Sequence, residues 1–396
     1  MATTSLTTET GGFEVRRLWT DERSRAIIFQ LLVVLGLALF IAFIVSNTIA
    51  NLQRAGLASG FGFLTEPAFF DINQRLIQYT SESTFGRALI VGLLNTILVS
   101  SLGIVAATLL GFSAGVMRLS QNWILSRLVT AYVEMTRNVP VLLQIIFWWS
   151  ILTELPKVRD SLSLGGAFIL NNRGVRMPSP VLEPGFGWVF GAFIVGAIAT
   201  FLVAKWAKRR QDETGQTFPM LWVGLVLIIG LPVVVHFILG QPLAWDMPER
   251  MRFNYRGGFN ITPELIALWF ALSTYTGAFI SENVRAGIMA VSKGQSEAAF
   301  ALGLRPNQTM RMIIIPQAMR VIIPPLTSQF LNLTKNSSLA IAIGYQDLVS
   351  IGGTILNQSG QALEVVAIWM GVYLSLSLLM SGYMNWYNKR IALVER

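Results

Sequence analysis

The chain has 396 residues, 53% of them hydrophobic and only 13% charged, whereas an ordinary soluble domain carries about 25% charged residues, so most of it belongs in lipid. Its net charge of +9 is dispersed among apolar runs, which argues against nucleic-acid binding. With no cysteine, it has neither disulfides nor a Cys-based metal or redox site.

Residues 1–12, MATTSLTTETGG, are small and polar and read as a disordered tail. Eight apolar stretches then follow, each long enough to cross a hydrocarbon core of about 30 Å: 27–49, 88–116, 123–153, 186–204, 219–239, 264–289, 313–334 and 363–387. The first is kept as a membrane helix, because no small-residue cleavage site follows it at the distance a secretory signal needs. The third, AYVEMTRNVPVLLQIIFWW, sets Glu134, Arg137, Asn138 and Gln144 around Pro140. Proline removes a backbone donor and clashes one turn back, so the helix should kink or break near Arg137 and Asn138. Glu134 and Arg137, three apart, share a helical face and can pair. The segment either lines a cavity or holds an ion pair at the interface with a packing kink.

Two loops, 154–185 and 240–262, carry Pro, Gly and mixed charge, and are long enough to fold over something. Between them the fourth and fifth spans, joined by the basic loop KWAKRRQDETGQTF, form an inserted hairpin. The only histidine, His236, lies near the end of an apolar run and reads as a packed or interfacial imidazole more readily than a proton relay. The sixth span holds Glu282 with Arg285 three residues on, either an ion pair that positions the helix end or part of a pathway. The seventh carries Pro316, Pro324, Pro325, Ser328, Gln329, Asn332, Thr334 and Lys335, too polar a set for a face turned to lipid.

Eight spans put both termini on one side, and more Lys and Arg fall on that side than on the other. The positive-inside rule therefore places the termini, residues 205–218 and residues 290–312 in the cytoplasm. The last of these segments contains SKGQSEAAFALGLRPNQTM. Ser292 with Gln295 resembles a capping box, Gly303 suits a left-handed helix stop, and Pro306 can open a second short helix. Small Ala298, Ala299 and Ala301 beside apolar Phe300, Leu302 and Leu304 make this either a docking element or a structured surface loop.

The segment resembles the EAA coupling loop of permease subunits of ABC importers, with Glu297, Ala298, Ala299, Gly303 and Leu304 on its core positions and Ile315–Pro316 in the hydrophobic–Pro place. Over about seventy residues the wording E-x-x-R-x-G-I, K-G-Q-x-E-A-A, A-L-G-L, I-x-P-Q-A-x-R and P-P-L is similar to the polar amino-acid permease family. Upstream, Glu134, Arg137, Pro140, Leu142 and Gln144 match E-x-x-R-G-T-P-x-L-x-Q, with Asn138 and Val139 in place of Gly and Thr. Lys335-Asn336-Ser337-Ser338 stands where relatives often have K-D-T-S, which replaces a carboxylate with an amide.

The resemblance implies an all-α membrane protein of about eight transmembrane helices, with the five-helix core of a type I importer. It divides the chain into a cytoplasmic tail (1–25), an extra first helix and outer loop (26–87), the first part of the core (88–153), inserted outer loops with a transmembrane hairpin (154–262), and the second part of the core (263–396) with the coupling loop at 292–312. It implies a multi-pass protein of a bacterial cytoplasmic (inner) membrane that moves polar or acidic L-amino acids inward. The partners implied are a second, related permease in a heterodimer, two cytoplasmic ATPase subunits and an extracytoplasmic amino-acid-binding protein. ATP and Mg would be bound by the ATPase, with no cofactor, metal site or catalytic residue in this chain. No G-x-x-x-x-G-K-[ST] phosphate loop occurs. Candidate path residues are Arg137, Asn138, Gln144, Glu282, Gln329, Asn332, Lys335, Asn336 and Ser337. A secondary carrier or channel for small polar solutes would also use broken helices and buried charge, but would not need a docking segment. An intramembrane hydrolase would need a nucleophile–base pair that is not evident.

Overall fold

The computed structural model describes residues 22–54, 60–252 and 254–391; the tail expected over 1–12 lies outside them. Apolar length dictates most of the architecture. Among the described residues six helices are long and apolar enough to span a membrane, and two bent helix pairs bring the number to as many as eight. The first is α1 (Glu22–Arg54), an apolar helix whose described side chains are mostly exposed. α2 (Phe85–Met117) is followed by α3 (Trp123–Asn138) and α4 (Val141–Thr153), which meet at 107°. The bend falls at Pro140, as the sequence requires: Val139 is extended, as a residue before proline prefers, and Pro140 starts the new helix.

α2 carries Gly103, Ala107, Gly111 and Gly115 four residues apart, a stripe that lets a second backbone come close. That backbone is α7 (Pro263–Met289). A Cβ added at Gly111 would lie 2.5 Å from Ile280 Cβ, and one at Gly115 2.6 Å from Val284 Cβ. Around this pair gathers a core of Val99, Ala107, Leu268, Leu272, Ile280 and Val284, all buried. Helix α8 (Lys293–Ala301) follows α7 and leads to α9 (Ile315–Asn336), which buries Ala318, Ile322, Ile323, Leu326, Phe330 and Leu333 on one face. The chain enters α9 through Pro306–Thr309 and a π-helical turn, Met310–Ile314. The second short helix expected at Pro306 does open there, with Pro306 in its first turn, and it runs through the π-helical turn directly into the seventh span.

A 3-10 stretch, Ser337–Ile343, ends α9, and α10 (Leu348–Ser359) follows at a 52° bend before α11 (Ala362–Ile391). α10 was not foreseen. Its N-terminus is capped locally by Asp347, whose Oδ1 accepts from Ser350 N at 2.9 Å, and is fixed by side chains from elsewhere in the chain: the Leu348 amide donates to Thr96 Oγ1 at 3.1 Å, and Trp369 Nε1 donates to Leu348 O at 3.1 Å.

The two loops expected to fold over something form short strands appended to the helical fold. β1 (Leu162–Leu164), β2 (Phe168–Asn171), β3 (Gly174–Met177) and β8 (Phe259–Ile261) make a four-stranded antiparallel sheet in that order. β4 (Ser179–Leu182) pairs with β5 (Leu243–Asp246), and β6 (Glu249–Arg250) with β7 (Tyr255–Arg256). Short strands drawn from loops about eighty residues apart give no periodic signal in sequence. Between them stand α5 (Phe186–Thr214) and α6 (Met220–Ile238), packed chiefly on each other and otherwise exposed.

Candidate functional site

α8 begins at Ser292, whose side chain makes no capping bond; the Gln295 amide instead donates to Ser292 O at 3.1 Å, and the Gln295 side chain reaches Gln317. The capping box expected there does not form, because Gln295 is drawn to the start of α9. The expected stop at Gly303 does form. Its φ is +78°, where a side chain would be strained, and the amides of Leu302, Gly303 and Leu304 close the helix end on Ala298, Phe300 and Ala299 carbonyls. Ala299 is 1% exposed and pins the helix, whereas Phe300 at 51% and Leu302 at 81% offer apolar surface outward. Glu297 and Ala298 are exposed, Leu304 is half-buried, and Glu297 makes no ion pair among the described residues.

About two to three turns before α8 along the chain, near the end of α7, lies a cluster of five charges. Arg118, just past the end of α2, donates to Glu282 Oε2 at 2.5 Å and lies 3.8 Å from Glu134 Oε1 on α3. Arg285 holds Glu282 Oε1 at 2.5 Å, and Arg137 approaches Glu282 Oε2 at 3.7 Å while stacking over the Phe279 ring. The Glu282–Arg285 pair expected from sequence is present. The Glu134–Arg137 pair is not: each turns to a partner on another helix, because the end of α3 lies against α2 and α7. Arg118 was missed, since it reads as an ordinary loop cation. Its side chain is only 7% exposed.

The elbow between α3 and α4 encloses a cleft of about 610 Å³ lined by Tyr132, Thr136, Val139, Gln144, Trp148 and Thr274, among others. Gln144 Nε2 donates to Thr136 O and Val139 O, both at 2.9 Å, so this amide satisfies carbonyls freed by the proline break. Asn138 Nδ2 donates back to Glu134 O at 2.8 Å. Tyr132 hydroxyl donates to Thr274 O at 2.7 Å across to α7.

On α9, Val321, Pro324, Pro325, Ser328, Asn332 and Lys335 form an exposed stripe opposite the buried face. Gln329 and Asn336 are half-buried at its border, and Ser337 is buried, its hydroxyl donating to Thr334 O at 2.8 Å. The candidate path residues thus fall into several places: Gln144 in the elbow cleft with Asn138 just outside it, Arg137 and Glu282 in the charge cluster, Asn332 and Lys335 on the exposed face of α9 with Gln329 and Asn336 at its border, and Ser337 buried just past the helix end. None of the α9 residues lines the elbow cleft. Among the described residues no group of His, Asp and Glu is arranged to hold a metal.

A family model for the binding-protein-dependent transport system inner membrane component matches residues 212–393. The general L-amino acid transport system permease protein AapQ of Rhizobium johnstonii is 51% identical over 97% of this chain and 96% of its own length. The chain belongs to this permease family. YhdX of Escherichia coli, a putative amino-acid ABC transporter permease, is 50% identical over 94% of this chain and 95% of its own length. The glutamate/glutamine/aspartate/asparagine transport system permease protein BztB of Rhodobacter capsulatus is 42% identical over 97% and 98%. A multi-pass component of the inner membrane accounts for the apolar helices, the small-residue seam between α2 and α7, and the polar groups kept on chosen faces.

Proposed function

We propose that this permease carries polar L-amino acids, acidic ones among them, from an extracytoplasmic binding protein into the cytoplasm, driven by ATP hydrolysed on separate subunits. The observation that carries the reading is the pairing of full-length likeness to permeases named for L-amino acids with an outward-facing α8 that ends on a left-handed glycine. Two ATPase subunits would each take ATP and Mg, one docked on Phe300, Leu302 and the exposed backbone turn at Gly303 and Leu304. Glu297, unpartnered within the described residues, would meet a group on the ATPase. A zwitterion needs groups of both signs to replace its hydration, and buried polar groups without partners are costly. The exposed polar stripe of α9 is thus best used facing a related permease across a shared passage, with Gln329, Asn332, Lys335 and Asn336 toward the cargo.

Orientation follows from charge and aromatic placement. At the α8 end, α5 stacks Arg210 over Trp206 at 5.4 Å and α11 stacks Arg390 over Trp386 at 4.2 Å. The tryptophans mark a membrane boundary and the basic side chains mark it as the cytoplasmic one, so on this reading the strand module lies outside and both termini inside.

Competition uptake in the assembled complex tests the substrate: glutamate, glutamine, alanine, leucine and arginine are offered against labelled glutamate, in the parent and in Lys335→Ala and Gln329→Ala. Polar amino acids should compete, and the two variants should lower uptake. Transport of sugars or peptides without amino-acid competition would refute the substrate class; unchanged uptake in both variants would refute the path along α9.

A further inference from the structure

We infer that Arg118 is the positioning residue through which the elbow of α3 and α4 follows α8, an inference that rests on the coupling role proposed above. The five charges differ in how tightly they are held. Arg118 and Arg285 grip Glu282 at 2.5 Å, within and between α7 and the end of α2, the two helices whose glycine stripe already packs them backbone to backbone. The contacts that cross to α3 are long: Arg118 to Glu134 at 3.8 Å and Arg137 to Glu282 at 3.7 Å. A well-made charge pair of this kind sits near 2.7–2.9 Å. α2 and α7 therefore form a frame, and α3 is joined to it at this end by two stretched ionic contacts.

Position makes the joint mechanical. Glu282 and Arg285 lie in the last two turns of α7, and α8 begins four residues after Met289. Arg137 ends α3, next to the Val139–Pro140 break that Gln144 braces and that borders the cleft. A shift of α8 that turns the end of α7 moves Glu282 directly, and Arg118 carries that movement to Glu134. The cluster holds three arginines and two glutamates, so the two carboxylates can exchange partners without leaving either one unpaired. Its burial also matters. Arg118, at 7% exposure, and Glu282, at 26%, are shielded from the solvent that weakens ordinary surface pairs, whereas Glu134, at 54%, is open to it and is the end of the contact that can let go. Arg118 Nε has no hydrogen-bond partner, which leaves a donor available for a second arrangement. Two discrete arrangements of such a network are what coupling between distant sites requires.

The experiment uses the complete complex, with binding protein, in lipid vesicles, and measures both ATP hydrolysis and labelled amino-acid uptake. Glu134→Gln removes a loose contact and should leave complex yield and stimulated hydrolysis near the parent level, while uptake per ATP falls about three- to tenfold, the size expected when a coupling contact is lost. Arg118→Lys keeps the charge and should retain most of the parent ratio. Arg118→Gln should lower the ratio about as far as Glu134→Gln, and combining the two should lower it no further, since both act through one contact. Uptake per ATP unchanged in Glu134→Gln, or effects that add, would overturn the inference. Gly303→Val separates this from the coupling reading itself: it should abolish stimulated hydrolysis. If Gly303→Val has no effect, the role of α8 is wrong; if it acts while Glu134→Gln is silent, only the joint at Arg118 is wrong.

Discussion

Gly115 and Gly191 are both glycines within apolar helices, yet they are predicted to respond in opposite ways to one added side chain. At Gly115 a Cβ would meet Val284 Cβ at 2.6 Å and Ser281 O at 2.9 Å, whereas at Gly191 nothing lies within 4 Å. Gly115→Val should cost about 1–3 kcal/mol through overpacking and lower the thermal midpoint of the purified complex. Gly191→Val, on a face turned to lipid, should leave the midpoint unchanged or raise it. Equal effects at the two positions would contradict the close seam between α2 and α7. The same contrast of distance explains what the sequence discloses at this scale. Pro140 announces its own break, and Gly303 its own helix stop, because each acts on the backbone beside it. Arg118 is invisible because its partner Glu282 is 164 residues away, and Gln144, flagged as a polar group for cargo, spends its amide on two carbonyls of the break.

Element identity was legible wherever apolar length alone decides it. α1, α2, α5, α6, α7 and α11 lie where long uncharged runs require spans, and the seventh run became α9. The strands were not legible, since β4 and β5 are separated by the whole α5–α6 hairpin and each is four residues long. That separation yields a prediction. Leu182 and Leu243 are direct partners across β4 and β5, so the two chain segments already lie side by side where the hairpin leaves the strand module. Excising residues 183–242 and closing the gap with Asn-Gly, which suits a two-residue hairpin, should leave the core helices packed as before. Copurification with the ATPase should persist, and uptake should stay within about twofold of the parent, as expected for a segment inserted at a point where the chain ends meet. Loss of assembly on excision would mean that the hairpin carries contacts essential to the complex.

Two properties belong to the whole molecule, its orientation and its energy source. Orientation is tested by the chain's lack of cysteine, which lets single-cysteine variants report without background. A cysteine at Ser292 should react only with reagents admitted to the cytoplasm, and one at Ser179 in β4 only from outside; the reverse pattern would invert the protein. Family membership and the matched length of the relatives fix a permease, while the energy source rests on α8 as a docking element. The most direct measurement is accumulation of labelled glutamate by the purified complex in sealed vesicles, with binding protein on the strand-module side and ATP on the α8 side. Accumulation above the outside concentration that needs hydrolysable ATP and stops when Gly303 is replaced by valine is the predicted result. Accumulation without ATP, driven by an ion gradient and indifferent to Gly303→Val, would contradict it.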